Sequence, residues 1–310
     1  MITTVTLNAS IDKAYHMERE IVGGTVMRVA RVANSAGGKG LNVARVARLC
    51  GSDVQATGLV GGFNGQYLEA LAEADGIRSR FGHIAGETRS CVNILDPTFS
   101  STEFLEPGPT VGVDEFEAYL AEFPSIIAGS DVVTLSGSLP AGVGKDSYQK
   151  LVRLALGEGK RVILDSSGEE LRLGLEASPT MIKPNQDEIE ALLGAMATAQ
   201  DDVVAQARSL HEGGVAQVVI SLGKDGALLA CDEGCFRAIP PKVRVTNTVG
   251  CGDSMVAAFA VAFERAMGPR EALAYAISVA SAAAMSPNTG EYDPADLDAI
   301  MSRVEVRAVG

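Results

Sequence analysis

An α/β fold with a mostly parallel central sheet is predicted by three features of the sequence. Short apolar runs alternate with longer helical patterns along the chain. Several of those runs are nearly continuous Val, Ile and Leu, the pattern of strands covered on both faces. Glycine is abundant, 34 of 310 residues, as tight turns and close backbone–ligand approach require.

Taken in order, strands are expected at Ile2–Leu7, Val54–Val60, Val132–Ser136, Arg161–Asp165, Met181–Ile182 and Val218–Ser221. The first helix is expected over Gly40–Cys50, where Val43, Val46, Ala47 and Cys50 share a face and Arg45 and Arg48 lie off that stripe. Glu115–Ile127, Lys145–Leu156, Asp187–Leu193 and Val203–Glu212 also read as helices. Ser254–Met267 and Arg270–Met285 follow, separated by Gly268-Pro269, a natural stop and restart. Tyr15–Ala33 and Arg89–Glu106 break the alternation: both are strand-rich without a helix, as is the later pair Ala227–Cys231 and Cys235–Ile239. The first two are expected to form a small sheet projecting from the main body. No repeat or linker divides the chain, so one domain with an excursion fits best.

With 39 Asp and Glu against 26 Lys and Arg, the formal charge is −13. That argues against nucleic-acid binding, which needs a basic stripe, and against binding to anionic membrane surfaces. The start of the chain reads as a strand rather than a signal peptide, and the longest apolar run, Met255–Phe263, is too short to span a bilayer. Five scattered cysteines (Cys50, Cys91, Cys231, Cys235, Cys251) suggest reduced thiols and a cytoplasmic protein. His16, His83 and His211 are isolated, which leaves no triad or zinc set to propose. No segment has the glycine–lysine spacing of a P-loop or the Gly-x-Gly-x-x-Gly of a dinucleotide site.

Five stretches carry candidate chemistry. Thr246-Asn-Thr-Val-Gly-Cys-Gly-Asp-Ser254 leads into an apolar helix, and Gly250 and Gly252 would let backbone amides converge on an anion at its N-terminus. Asp253 there reads equally as an N-cap or as a general base taking a hydroxyl proton during phosphoryl transfer. In Lys183-Pro-Asn-Gln-Asp-Glu188, Asn185 and Glu188 form a capping box; the functional alternative is a water-mediated magnesium network with Lys183 near phosphate. Ser221-Leu-Gly-Lys-Asp-Gly226 reads as a hairpin turn or as a glycine loop against a nucleotide. Asn8-Ala-Ser-Ile-Asp12 is read as closing the first strand, and Ala36-Gly-Gly-Lys-Gly-Leu-Asn42 opens a helix. Ligands in open α/β sheets sit at such ends, so Asp12, Gly38, Lys39 and Asn42 are candidates for sugar hydroxyls or phosphate. Arg28 and Arg89 lie in the two excursions, and both facing inward would clamp a second phosphate.

Together these motifs resemble the ribokinase-like sugar kinases of the phosphofructokinase-B (PfkB) branch. The resemblance spans essentially the whole chain and keeps motif order. It rests on Val5–Asp12, Gly37–Arg45, Gly86–Arg89, Leu135–Pro140, Ile182–Asn185, Ser221–Gly226 and Val249–Ser254. It implies a ribokinase-like three-layer fold over residues 1–310, with a small β-sheet lid from about 14–34 and 88–107 that packs against a partner's lid in a homodimer. By the same resemblance Asp253 is the catalytic base, and Gly250, Cys251 and Gly252 form the anion hole. Asp12, Gly38, Lys39, Asn42 and Ser138 surround the sugar, with Arg28 and Arg89 on its phosphate. Lys183, Asn185, Ser221, Gly223 and Gly226 line the ATP side. Asn185 and Glu188 serve Mg2+, and a monovalent cation such as K+ lies beside the anion hole. The chain departs from the common pattern at Ala9, Met27 and Cys251.

The resemblance is closest to 1-phosphofructokinases and tagatose-6-phosphate kinases. The expected reaction is therefore ATP-dependent phosphorylation of a ketohexose monophosphate, fructose 1-phosphate to fructose 1,6-bisphosphate, with tagatose 6-phosphate as the alternative acceptor. A non-catalytic sugar-phosphate or nucleotide sensor on the same fold is the reading from another class. The retained Asp253, Asn185 and Glu188 speak against it.

Overall fold

A computed structural model describes residues 1–97, 101–194 and 200–309. Its first half contains β1 (Ile2–Thr6), β2 (Ser10–His16), β3 (Arg31–Gly37), α1 (Lys39–Leu49), β4 (Val54–Gly61), α2 (Gly62–Ala74), β5 (Arg78–Ser79), β6 (Gly82–Ile84), β7 (Arg89–Leu95), β8 (Ser101–Leu105), α3 (Val113–Ile127) and β9 (Val132–Ser136). There follow α4 (Ser147–Gly157), β10 (Arg161–Asp165), α5 (Gly168–Leu175), β11 (Met181–Ile182), α6 (Gln186–Leu193), α7 (Gln200–Glu212) and β12 (Gln217–Ser221). The rest comprises β13 (Ala227–Cys231), β14 (Gly234–Ile239), α8 (Cys251–Glu264), α9 (Pro269–Met285), α10 (Leu297–Met301) and β15 (Glu305–Ala308).

The large sheet has the order β15-β14-β13-β12-β11-β10-β9-β1-β4-β5, with β6 also paired to β4. Pairing is parallel from β12 through β4 to β5 and β6, and antiparallel only across β12–β15. Strands β1 and β9 are buried along their whole length because helices cover both faces. Buried side chains of α1, α2, α8 and α9 form one apolar cluster on one face, and those of α3 to α7 form a second on the other. This is the three-layer arrangement that the resemblance implies. Among the described residues no helix is long and apolar enough to cross a membrane.

A separate four-stranded sheet has the order β3-β2-β7-β8. It draws on residues 10–37 and 89–105, so its first segment is longer at both ends than the expected 14–34. Two expectations change here. Asp12 lies within β2 of this small sheet rather than at the end of the first strand, because the chain turns at Leu7–Asn8 and pairs again from Ser10. Residues 17–30 are not strand: the stretch is mostly exposed and carries local bonds such as Thr25 Oγ1 to Val22 O at 2.8 Å. Helices α2 and α5 were not expected from the sequence. The segment 98–100 of the second excursion lies outside the described residues.

Candidate active site

The carboxyl ends of β1, β9 and β10 open into a cavity of about 250 Å³ beneath the small sheet, the position where ligands bind in open α/β folds. Gly38, Lys39, Arg89 and Ser138, all singled out from the sequence, line it together with Ser136 and Ser166. Gly38 is the N-cap of α1 at φ 104°, a backbone angle that suits glycine, and a Cβ there would stand 2.7 Å from Thr6 Cγ2. Arg89 donates to the carbonyls of Asn8 (3.0 Å from Nη2) and Glu106 (2.8 Å from Nη1). The Ser138 hydroxyl accepts from Asn8 Nδ2 at 3.2 Å.

Asp12 enters from β2 and accepts from the Ser10 hydroxyl at 2.6 Å. Its carboxylate fills the space that a Gly37 side chain would take, a Cβ there falling 2.1 Å from Asp12 Oδ1. Burial holds its carboxyl above the ordinary aspartate range, opposed by the Ser10 bond, the charges of Arg45 and Arg89, and the Gly38 amide. Arg28 does not join these residues. It is exposed in the irregular stretch before β3 and does not line the cavity, so the face-sharing expected of a strand residue does not apply.

The loop expected to hold an anion takes a backbone shape that its glycines allow. Gly250 caps α8 in the left-handed region at φ 80°, with Thr289 packed where a side chain would go. The first intrahelical bond runs from Ser254 N to Gly250 O at 2.9 Å, so the Gly252 and Asp253 amides precede the helical ladder and carry its positive end. Burial, then the charge of Asp253, pushes the Cys251 thiol up to about 11, so it stays protonated at neutral pH.

Asp253 itself is 6% exposed. Its Oδ2 accepts from Asn42 Nδ2 at 2.9 Å, a bond between α1 and α8. Burial, then the negative charge of Asp165, raises its carboxyl to about 6; the Asn42 bond, Lys39 and Lys183 act the other way. It therefore remains ionised at neutral pH while holding a proton more firmly than an exposed aspartate. Both readings of this residue were open in the sequence. The N-cap of α8 is Gly250 and Asp253 stands three residues further on, inside the helix, which removes the N-cap alternative.

Two residues at this point were not legible. Asp165, at the end of β10, is buried between two lysines, with Lys183 Nζ at 3.2 Å and Lys39 Nζ at 3.5 Å. A single aspartate closing an apolar strand has no motif around it; only its position at a carboxyl strand end was a signal. Arg45 was read as facing away from the apolar stripe of α1, yet it is buried.

On the other side of Asp165, Lys183 leaves β11 and points toward the anion loop: a Cβ on Gly252 would lie 3.4 Å from its Nζ. Asn185 and Glu188 form the capping box, Asn185 Oδ1 accepting from Glu188 N and Glu188 Oε2 from Asn185 N, each at 2.8 Å. Asn185 also bridges to Ser221, whose amide donates to Pro184 O at 3.0 Å. Gly223 and Gly226 lie in the β12–β13 turn, both at positive φ, with open space beside Gly223. The structural readings of both motifs thus hold, and the nucleotide-facing readings remain compatible with them. No group of three or more His, Cys, Asp or Glu is arranged to hold a metal among the described residues. Mg2+ carried by a nucleotide needs only one or two carboxylates beside phosphate oxygens. Glu188 fits that demand, since its Oε1 lies outside the capping box and its charge reaches Lys39.

The family model described as pfkB family carbohydrate kinase matches residues 5–296. The 1-phosphofructokinase of Bacillus subtilis (strain 168) is 36% identical over 290 residues, covering 94% of each chain. The crystal structure of phosphofructokinase-2 from Escherichia coli in complex with potassium has a TM-score of 0.92 at 31% identity, over 97% of this chain and 98% of that one. The same enzyme in complex with fructose-6-phosphate gives 0.89 at 30% identity, again over 97% and 98%. With the family model matched over residues 5–296 and these relatives along its length, the chain belongs to the pfkB family of carbohydrate kinases, phosphotransferases that use an alcohol group as acceptor.

Proposed function

We propose that this kinase phosphorylates fructose 1-phosphate at its free CH2–OH arm, giving fructose 1,6-bisphosphate and ADP. One observation carries the chemistry: the buried Asp253 carboxylate, ionised at neutral pH and oriented by Asn42, directly follows the anion loop. The choice of acceptor is supported by the name of the Bacillus subtilis relative, 1-phosphofructokinase.

In this reading Asp253 accepts the proton of the attacking hydroxyl as the new O–P bond forms. The amides of Gly250, Cys251 and Gly252 receive the charge of the transferring phosphoryl group, which fixed donors at a helix start do without reorganising. Asp12, Asn42 and Ser138 hold sugar hydroxyls, and Lys39 stands beside the reacting groups. Arg89 binds the phosphate already on the sugar. Arg28 reaches it only if the exposed stretch before β3 folds inward on binding. Lys183, Asn185, Ser221, Gly223 and Gly226 border the nucleotide. Glu188 and Asn185 would steer a Mg2+ ion, which when bound would neutralise charge on the ATP phosphates. Use of K+ is supported by the potassium complex of the Escherichia coli relative, and the family resemblance puts that ion near the anion loop. The free thiols fit residence in the cytoplasm.

We also propose a homodimer through the small sheet acting as a lid. The support is its outer face: by strand register Tyr15, Val32, Val92, Ile94 and Phe104 point away from the side bearing Asp12. Val32 and Phe104 are 49% and 59% exposed, an unusual patch for a free surface.

An ADP-release assay tests the reaction against fructose 1-phosphate, tagatose 6-phosphate, fructose 6-phosphate and fructose. Fructose 1-phosphate is expected to give the highest kcat/KM; a tenfold preference for another acceptor would overturn the assignment. Asp253→Asn should lower kcat by at least about 10²–10⁴-fold while ATP and sugar phosphate still bind. Near-normal turnover in that variant would remove Asp253 as the base.

A further inference from the structure

Arg45 is an arginine whose side chain is only 10% exposed, and it spends its donors on three separate parts of the chain. Nε donates to Asp75 Oδ2 at 3.0 Å, after α2. Nη2 donates to the carbonyl of Ala36 at 2.7 Å, at the base of β3 in the small sheet. Nη1 donates to Asn42 Oδ1 at 3.2 Å. Gly290 covers this pair: a Cβ there would stand 2.8 Å from Nη1 and 3.4 Å from Asn42 Oδ1. Pairing with the partly exposed Asp75 would need only one of these donors.

The bond to Asn42 has a directional consequence. A primary amide accepts through oxygen and donates through nitrogen, whereas a guanidinium only donates and a carboxylate only accepts. With Arg45 holding its oxygen, Asn42 presents its nitrogen to Asp253 at 2.9 Å. Freed from Arg45, the amide can turn its oxygen toward Asp253 and lose the donation that favours the ionised base. The bond to Ala36 adds the small sheet to this chain. Ala36 pairs with Ile11, the residue before Asp12, so the strands that present Asp12 to the sugar end on the Arg45 guanidinium.

We propose that Arg45 is a positioning residue for phosphoryl transfer: it orients the Asn42 amide on the base and makes that orientation depend on the placement of the small sheet. The proposal rests on reading Asp253 as the general base. The groups facing Asp253 are Asn42 and Lys39 from α1, Lys183 after β11, Asp165 at the end of β10 and, on its own helix, the Cys251 thiol. Of these, Asn42 is the one that Arg45 touches. Because the Asn42 bond lowers the Asp253 carboxyl, loss of its orientation moves ionisation of the base to higher pH.

The test compares Arg45→Met, Arg45→Lys, Asn42→Ala and the Arg45→Met/Asn42→Ala double variant, each first checked for native circular dichroism and cooperative melting. Arg45→Met is expected to lower kcat on the order of 10–100-fold, as loss of an outer supporting bond does. KM for ATP should stay within about twofold, and the acidic limb of the kcat profile should move upward. In the Asn42→Ala background the same substitution should cost nothing further, because its effect passes through Asn42. Arg45→Lys keeps the cation without the three-way fork, so its kcat should fall between the others, with a displaced limb. If Arg45→Met fails to fold, the lysine variant carries the measurement. Wild-type kcat and pH limb in either folded variant, or losses that multiply in the double variant, would overturn the proposal. Turnover surviving in Asp253→Asn would instead sink the reading of the base, a separate result.

Discussion

Asp253 is surrounded by charges of both signs, yet burial is the largest influence on it and lifts its carboxyl from 3.8 to about 6. The sign of the stability effect follows. The folded state holds this proton more tightly than the unfolded chain, so stability falls as pH rises between about 4 and 6, and the cost is fully present above that range. At about 1.4 kcal/mol per pKa unit, the ionised carboxylate costs about 3 kcal/mol at neutral pH. Asparagine keeps the shape and an acceptor oxygen for Asn42. Asp253→Asn should therefore be inactive yet more stable than wild type at pH 7.5, with the advantage shrinking toward pH 4.5. Urea denaturation at the two pH values checks this, and an equal or lower midpoint at pH 7.5 would contradict it. The residue proposed as the base is thus also one that the fold holds at a cost.

At the scale of the element, the β12–β13 turn separates two glycines that look alike in sequence. Gly226 has φ 93° and a Cβ there would fall 1.9 Å from the Ala238 carbonyl oxygen, in the neighbouring strand β14. Gly223 has φ 56° and nothing within 4 Å of a Cβ. Gly223→Ala should cost roughly 1–2 kcal/mol for the left-handed backbone alone. Gly226→Ala should cost on the order of 4 kcal/mol, since backbone must move. Thermal melts of the two variants give the comparison, and equal losses would show that the contact with Ala238 relaxes freely. What could be read from sequence follows the same physics. Strands β9, β10, β11 and β13 appear at their expected limits because buried parallel strands and apolar hairpins leave unbroken runs. Helix α2 was hidden, since its aromatic residues Phe63 and Tyr67 are exposed and only Gly65, Leu68 and Ala72 are buried. Helix α5 is eight residues long and buries only Leu171 and Gly174. Motif residues around the anion loop and α1 were legible because glycine spacing marks them. Asp165 and Arg45 were not, since their burial is decided by partners 18 to 126 positions away or on other elements.

For the whole molecule, the −13 charge means that ATP and a sugar phosphate approach a repelling surface. Attraction has to be local, and in the proposed reading Lys39, Lys183 and Arg89 supply it around the cleft, with the α8 start adding partial charge. The proposed dimer belongs to this scale as well. Phe104→Asp on the outer face of the small sheet should leave the main body folded and yield a monomer in light scattering at micromolar concentration. A dimer persisting in that variant would exclude this face as the contact.

The bond between Asn42 and Asp253 joins residues 211 positions apart, between α1, which only β1 of the large sheet precedes, and α8, which every strand of that sheet but β15 precedes. Contacts of such sequence separation form late, because a long loop must close before they are rewarded. With Asp253 as the proposed base, neither half of the chain holds it oriented by Asn42 on its own. Turnover is therefore a reporter of completed folding, and a nascent or partly refolded chain can hold extensive helix and strand while remaining catalytically silent.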